Sequence, residues 1–405
     1  MSPTKSPWAT ALALTLVCAC AARCDERFLL TLKGTDPSPD QTPVIATIPN
    51  STPVGVYETS PASGEPSRAI QVFDEGGERR IALSTAKLRP GHAYPITLRP
   101  VDASGENARR GVHFRPSSKN LIVTLDGEPF TEYRVDVGNK PFLDPVIGPG
   151  GVSYTRAFPM RKVNGEDHDH PHQRSFWFTH GEVDGVDFWA ETPKSGVIRE
   201  LDRQIVAAGP VLGRLITHNE WIAPGGRVVC ADTRTWTFLS TNETRIIDLD
   251  VTIKATSGPV VFGDTKEGSF GLRVASSMDV NRKKGGKITN AEGLVDDQAW
   301  GKPSPWVDYT GPIGDQSAGI AILNHPTSFR YPTTWHVRTY GLFAANPFGY
   351  HDFGRSERGD YTLPKGESIT FRHRVILHAG PTEPKTLARE FAAYAHPPQV
   401  VVETR

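Results

Sequence analysis

The chain has 405 residues, in which 45 Lys plus Arg balance 45 Asp plus Glu. That neutrality removes the electrostatic case for binding nucleic acid or an anionic membrane surface. A hydrophobic content of 38% and an aromatic content of 9% exclude a disordered chain, and the length suggests two domains with a large core.

Lys5 precedes the apolar run ATALALTLVCACAA, which is followed at once by the charged RCDER. A basic residue, a short apolar core and small residues near a cut site predict a secretory signal peptide over residues 1–22. The protein is therefore expected to be exported, periplasmic or extracellular. Val17-Cys18-Ala19-Cys20 also admits lipid attachment at Cys20. The run is short for a membrane span, and no later stretch of about twenty residues is free of charge. Only Cys230 lies in the body of the chain. In RVVCADTRTWTF it shares strand parity with Trp236 and Phe238, so it reads as a buried small hydrophobe rather than a nucleophile or ligand.

Residues 26–105 carry short alternating runs, RFLLTLKG, PVIATIPN, RAIQVFDE, RRIALS and AYPITLRP, broken by Pro, Gly, Ser and Asp. They predict a small β-sandwich-like domain, with VDASGENARRG as a linker. From about residue 110 to 400 the β signals continue. GRLITHNEWIAPGGRVVCADTRTWTFLS reads as two strands joined by APGG, and ITFRHRVILHAG as another. RIIDLDVTIKAT sets Ile247, Leu249, Val251 and Ile253 on one face against Asp248, Asp250, Thr252 and Lys254 on the other. Only PTEPKTLAREFAAYA predicts a helix, with Leu387, Phe391 and Tyr394 on one stripe and Pro384 in its first turn. An all-β unit of this length is too long for an immunoglobulin-type sandwich and requires a larger sandwich or barrel. GPGG at 148–151 lacks the lysine and helix of a phosphate loop and reads as a turn; NRKKGGK at 281–287 reads as a solvated basic loop.

The stretch DHDHPHQR, residues 167–174, holds three of the 13 histidines. On an extended chain His168, His170 and His172 would project to one side, where they could bind a divalent metal ion or work as acid and base near neutral pH. Pro171 makes the segment an edge strand, bulge or loop, and a solvated polar loop is the plainer reading. Further on, GDTKEGSFGLRVA sets Glu267 just before a strand, and WGKPSPWVDYTGP gathers Trp300, Trp306, Asp308 and Tyr309. ILNHPTSFRYPTTWHVRTYGLFAANPFG contains His325, Arg330, Trp335, His336, Arg338 and Asn346. Aromatics beside carboxylates and amides suit a sugar, whose C–H faces stack on rings while its hydroxyls need paired donors and acceptors.

Across roughly residues 125–378 the chain resembles the bacterial PmoA-like proteins, often labelled "methane oxygenase PmoA". The resemblance rests on PFLDPVIGPGGVSYTRAFPM, DHPHQRSFWFTHGEVDGVDFW, FGDTKEGSFGLRVA, WVDYTG and ILNHPTSFRYPTTWHVRTYGLFAANPFG. Many members read DHPHH where this chain has Gln173. The resemblance implies that residues 110–400 form a galactose-mutarotase-like supersandwich of two large antiparallel sheets. It further implies that a histidine and a carboxylate transfer protons on a sugar. By role, His170 or His172 becomes the acid and Glu267 the base, with His336 as a further catalytic candidate. Arg156, Trp177, Trp306, Asp308, His325, Arg338 and Asn346 become candidate substrate contacts. The label itself implies a membrane-embedded oxygenase subunit, which needs apolar spans of about twenty residues that this chain lacks beyond its opening run.

Three readings stay open: a carbohydrate-active isomerase, lyase or hydrolase, a non-catalytic glycan-binding module, and a metal enzyme using His168, His170 and His172. The expected ligand is a carbohydrate, and the one cofactor the residues suggest is a divalent metal ion.

Overall fold

The computed structural model describes residues 27–33, 43–59, 67–84, 88, 91–102, 104, 107, 109–241 and 244–404. The expected signal peptide and the lipidation cysteine lie outside these residues.

The N-terminal part is a seven-stranded antiparallel sheet. Its order is Pro43–Thr47, Glu78–Ser84, Ala69–Glu75, Gly55–Thr59, Ala93–Pro100, Arg27–Lys33 and Gln399–Thr404. It curls around its own apolar cluster, which includes Phe28, Leu30, Ile70, Ile81 and Leu98. Five of the strands are those written in the alternating runs. The sixth, Gly55–Thr59, is short and carries a glycine. The seventh is the end of the chain, which returns to pair with Arg27–Lys33 in continuous register.

The larger part consists of two eight-stranded antiparallel sheets packed face to face. The first has the order Trp335–Val337, Leu342–Ala345, Gly268–Arg273, Phe176–His180, Phe142–Val146, Glu128–Arg134, Asn120–Leu125 and Val112–Ser117. The second has the order Val197–Ala207, Gly213–Ile222, Val228–Ser240, Thr244–Lys254, Ser368–Ala379, Gln316–Asn324, Trp306–Ile313 and Lys287–Asn290. This is a supersandwich, and the period-two pattern explains it. Ile247, Leu249, Val251 and Ile253 are all buried and meet Phe176, Phe178, Phe270 and Leu272 of the facing sheet in one cluster. The predicted helix forms over Pro384–Ala395 and buries Leu387 and Tyr394 on the outer face of the second sheet.

Strand parity also carries a charged pair into the core. Cys230, Asp232, Arg234 and Trp236 alternate on the inner face of Val228–Ser240, and all four are buried. Burial pushes the Cys230 thiol up, as expected of an inert cysteine. Asp232 accepts from Asn219 at 2.6 Å, Trp221 Nε1 at 2.7 Å and Arg234 at 2.9 Å. Removing one member of a buried pair strands the other. Asp232→Ala should therefore cost about 3–5 kcal/mol in denaturant unfolding, whereas exposed Lys254→Ala should stay within about 0.5 kcal/mol. Equal midpoints for the two variants would contradict this account of the core.

Candidate active site on the outer face of the first sheet

Loop 152–175 lies over the outer face of the first sheet. Its floor is a small apolar cluster of Phe142, Trp177, Trp189, Leu342 and Ala344, with Tyr340 and Met160 against it. Trp177 lies flat because Gly271 is its cross-strand partner; a Cβ there would sit 2.5 Å from the indole. Trp177 is fully buried and so supports the loop rather than meeting solvent.

The histidine segment is not extended. His170 and Ser175 take positive φ values of 43° and 50°, so the chain turns and the three imidazoles part. His168 stacks on Phe158 with centroids 4.7 Å apart, while His170 stacks on Tyr340 at 5.3 Å with an interplanar angle of 8°. His172 lies edge-on to His170 at 5.8 Å and close to Trp189. The metal reading loses its geometry here. Among the described residues no three or more His, Cys, Asp or Glu side chains converge as a metal cage.

Two fully buried arginines fix the turn. Arg156 donates to the Asp169 carboxylate and to the carbonyl oxygens of Asp167, His170 and Gln173. Arg273, at the end of Gly268–Arg273, donates to both Asp169 oxygens at 2.9 and 3.2 Å and to Gln173 Oε1 at 2.5 Å. Burial alone would raise the Asp169 carboxyl, but Arg273, His170 and Arg156 together outweigh it and hold it down at about 2. Asp169 is thus ionised, and His170 Nδ1–H donates to its Oδ2 at 2.6 Å. The Nε2 edge is left as the working edge of a ring whose side chain is 43% exposed. Gln173 is buried and spends its oxygen on Arg273.

Around this pair the chemistry is dense. Burial, reinforced by the Lys140 and His170 charges, lowers His172 to about 4, so its imidazole is neutral near pH 7. Lys140 is itself lowered by burial to about 8 while donating to Glu191 at 3.0 Å. Burial raises the Tyr340 phenol, with the Glu267 charge among the smaller contributions. Arg273 and Arg338 lie 4.9 and 5.7 Å from the Tyr340 centroid, and Arg338 also lies 5.5 Å from that of half-buried Trp300. His336 is buried, bonded through Nδ1 to the Lys266 carbonyl at 2.8 Å, and lowered by burial to about 4. Glu267, 36% exposed, follows in the chain and pairs with Lys266 at 3.3 Å. Asn346 is buried and holds the same turn through the Thr265 carbonyl at 2.8 Å.

His170, His172, Glu267, His336 and Arg338 therefore gather on one face, with Arg156, Trp177 and Asn346 as buried supports. Trp306, Asp308 and His325 do not join them. Val307 and Tyr309 turn into the core, so the alternate residues Trp306 and Asp308 fall on the outer face of the second sheet. There Asp308 pairs with His378 at 3.0 Å, Trp306 packs with Phe73 and Leu387, and His325 stands edge-on to Tyr394 at 4.9 Å. Sequence reading missed Asp169 and Arg273 as the organising pair. Its available signal was a lone arginine closing the otherwise uncharged strand GSFGLR.

Residues 120–392 match a family of unknown function, DUF6807, and the chain belongs to that family. No curated protein matches the sequence. Among solved structures it is similar to the α-galactosidase AgaA of Geobacillus stearothermophilus, with TM-score 0.36 and 10% identity over 67% of this chain and 41% of that one. The galactosidase domain of the α-galactosidase-sucrose kinase AgaSK matches with TM-score 0.37 and 11% identity, over 67% of this chain and 42% of that one. The chain thus spans about two-fifths of the length of these galactosidases.

The depressed histidines set a pH dependence. His172, His180 and His336 lie at about 4 and His373 at about 3, against an ordinary 6.5. Below pH 6.5 the unfolded chain binds protons that the folded chain refuses, so stability falls as pH drops from about 6.5 to 4. Asp169 adds a further loss between its ordinary 3.8 and about 2, because its folded form stays ionised. Asp144, Asp250 and Asp279, raised by burial to about 6, 6 and 8, pull the other way because the folded chain takes up their protons first, but the four rings outnumber them. Melting temperature measured against pH should still decline through the upper window; a rising profile there would contradict the account.

Proposed function

We propose that this DUF6807 protein is an exported, carbohydrate-active enzyme that moves protons on a sugar bound over His170, Tyr340 and Trp300. One observation carries the reading: an exposed imidazole oriented by a carboxylate that two buried guanidinium groups keep ionised. Asp169 fixes the tautomer, so Nε2 presents a lone pair outward and can take a proton from a substrate hydroxyl or C–H. The imidazolium formed is stabilised by the same carboxylate and can return the proton at the next step. Glu267 offers the second carboxylate, and neutral His172 offers an uncharged hydrogen-bond partner. Arg338 and half-buried Trp300 supply a donor fork and an aromatic face, the pairing that sugar hydroxyls and ring C–H groups require. His170 sits in the sparsely populated left-handed region, where residues held for function are over-represented.

The PmoA-like resemblance is compatible with this reading, whereas an oxygenase label would call for a metal. His168 is turned onto Phe158 and Asp169 is occupied by two arginines, so these residues do not fit a metal centre and no step is derived through one.

Anomeric-proton NMR of a panel of mono- and oligosaccharides incubated with the full chain tests the proposal. One sugar should be turned over, and His170→Ala should lower the rate about 10²–10⁴-fold. Asp169→Asn, which keeps the shape but supplies an amide to Nδ1, should fall in the same range. Turnover unchanged in both variants, or tight binding of a sugar without turnover, would overturn the enzymatic reading, the second result in favour of a glycan-binding module.

A further inference from the structure

A cavity of about 1300 Å³ lies between the N-terminal sheet and the outer face of the second large sheet. Three contacts set the two parts against each other beside it. The Gln71 side-chain oxygen accepts from the Val211 and Leu212 amides, Glu75 pairs with Arg214 at 2.7 Å, and the returning strand Gln399–Thr404 closes one side. Clefts between domains are where ligand sites concentrate, and this one exceeds the roughly 300–1,000 Å³ usual for small molecules.

Its lining is polar in an unusual way. Four arginines reach it, and each already has a carboxylate: Arg80 with Glu78, Arg214 with Glu75, Arg374 with Asp248, and Arg372 with Asp250. These four pairs leave no surplus charge, and exposed Lys33 is the one further lysine or arginine in the lining. Arg374 Nη1, Tyr394 Oη and Arg80 Nε have no hydrogen-bond partner but lie sealed within the wall; the polar groups open to the space are the carboxylates of Glu75 and Asp250 and the guanidinium of Arg372. Arg374 is 3% exposed and Tyr394 9%, and the guanidinium lies 4.6 Å from the Tyr394 ring centroid. Accessible carboxylate lone pairs beside the Arg372 donors and the Thr235 hydroxyl suit groups that accept and donate at one atom, which is the chemistry of hydroxyls.

We propose that this cleft is a second binding site, for a neutral, hydroxyl-rich ligand of oligosaccharide type. It is independent of the His170 surface, which lies on the other large sheet. The cleft residues come from Thr244–Lys254, Ser368–Ala379, the N-terminal sheet and the end of the helix, and the N-terminal sheet thereby gains a role as one wall of a binding groove.

Saturation-transfer NMR with the full chain tests this, using neutral tetrasaccharides of glucose, mannose, galactose and xylose beside a tetragalacturonate. Thr235 lines the cavity on the outer face of its strand, so Thr235→Trp fills the space without removing a support. Asp250→Asn is the second variant, removing an acceptor at constant volume. At least one neutral tetrasaccharide should bind in the His170→Ala chain. Its affinity should fall at least ~10-fold in Thr235→Trp, with the melting temperature unchanged, and should also fall in Asp250→Asn. Binding unaffected by either cleft variant, binding of the acidic tetrasaccharide alone, or no binding in the His170→Ala chain would overturn the second site. Binding lost in His170→Ala but untouched by Thr235→Trp would do so while leaving the first surface intact.

Discussion

Everything at the candidate active site depends on two guanidinium groups sharing one carboxylate. Arg156 comes from the loop and Arg273 from a strand, and both are fully buried. Such cations are tolerated only where their charge is met and their donors are used. Asp169 meets the charge, and the carbonyls of Asp167, His170 and Gln173 take donors of Arg156. The loop therefore cannot relax without uncovering buried charge. That is why a residue as exposed as His170 is held in one orientation, in a backbone region that costs energy to occupy.

The same sandwich that builds this face also explains the split among the candidate residues. Each sheet gives one side to the common core and leaves the other side for other work. On the first sheet the outer side carries Trp177, Arg273 and the histidine loop. On the second it carries Asp248, Asp250, Arg372 and Arg374 beneath the N-terminal sheet. Residues close in sequence can serve opposite faces of the molecule, as Trp300 and Trp306 do: Trp300 ends the short 3-10 turn Asp296–Ala299 beside the first sheet, and the chain then enters the second sheet at the strand Trp306–Ile313.

This parity also marks how far the sequence could be read. Period-two alternation made the large sheets legible, as at Ile247–Ile253, and the helix was legible from Leu387, Phe391 and Tyr394. The histidine-rich loop stood out by composition. What alternation cannot supply is tertiary partnership. Nothing local says that Arg273 reaches Asp169 across 104 positions, or that Tyr340 lies under His170. Nor could the extended-chain premise survive the left-handed turn at His170, which separates His168 from the other two rings. The tryptophans misled for a related reason: Trp177 and Trp306 are packing residues, as most tryptophans are.

The most direct measurement is the ¹⁵N NMR spectrum of the His170 imidazole near neutral pH, recorded with and without sugar. With Asp169 ionised and accepting at Nδ1, the neutral ring should be the Nδ1-protonated tautomer, and a bound sugar should shift the Nε2 resonance selectively. An Nε2-protonated ring, or a spectrum indifferent to every sugar bound by the chain, would contradict the account.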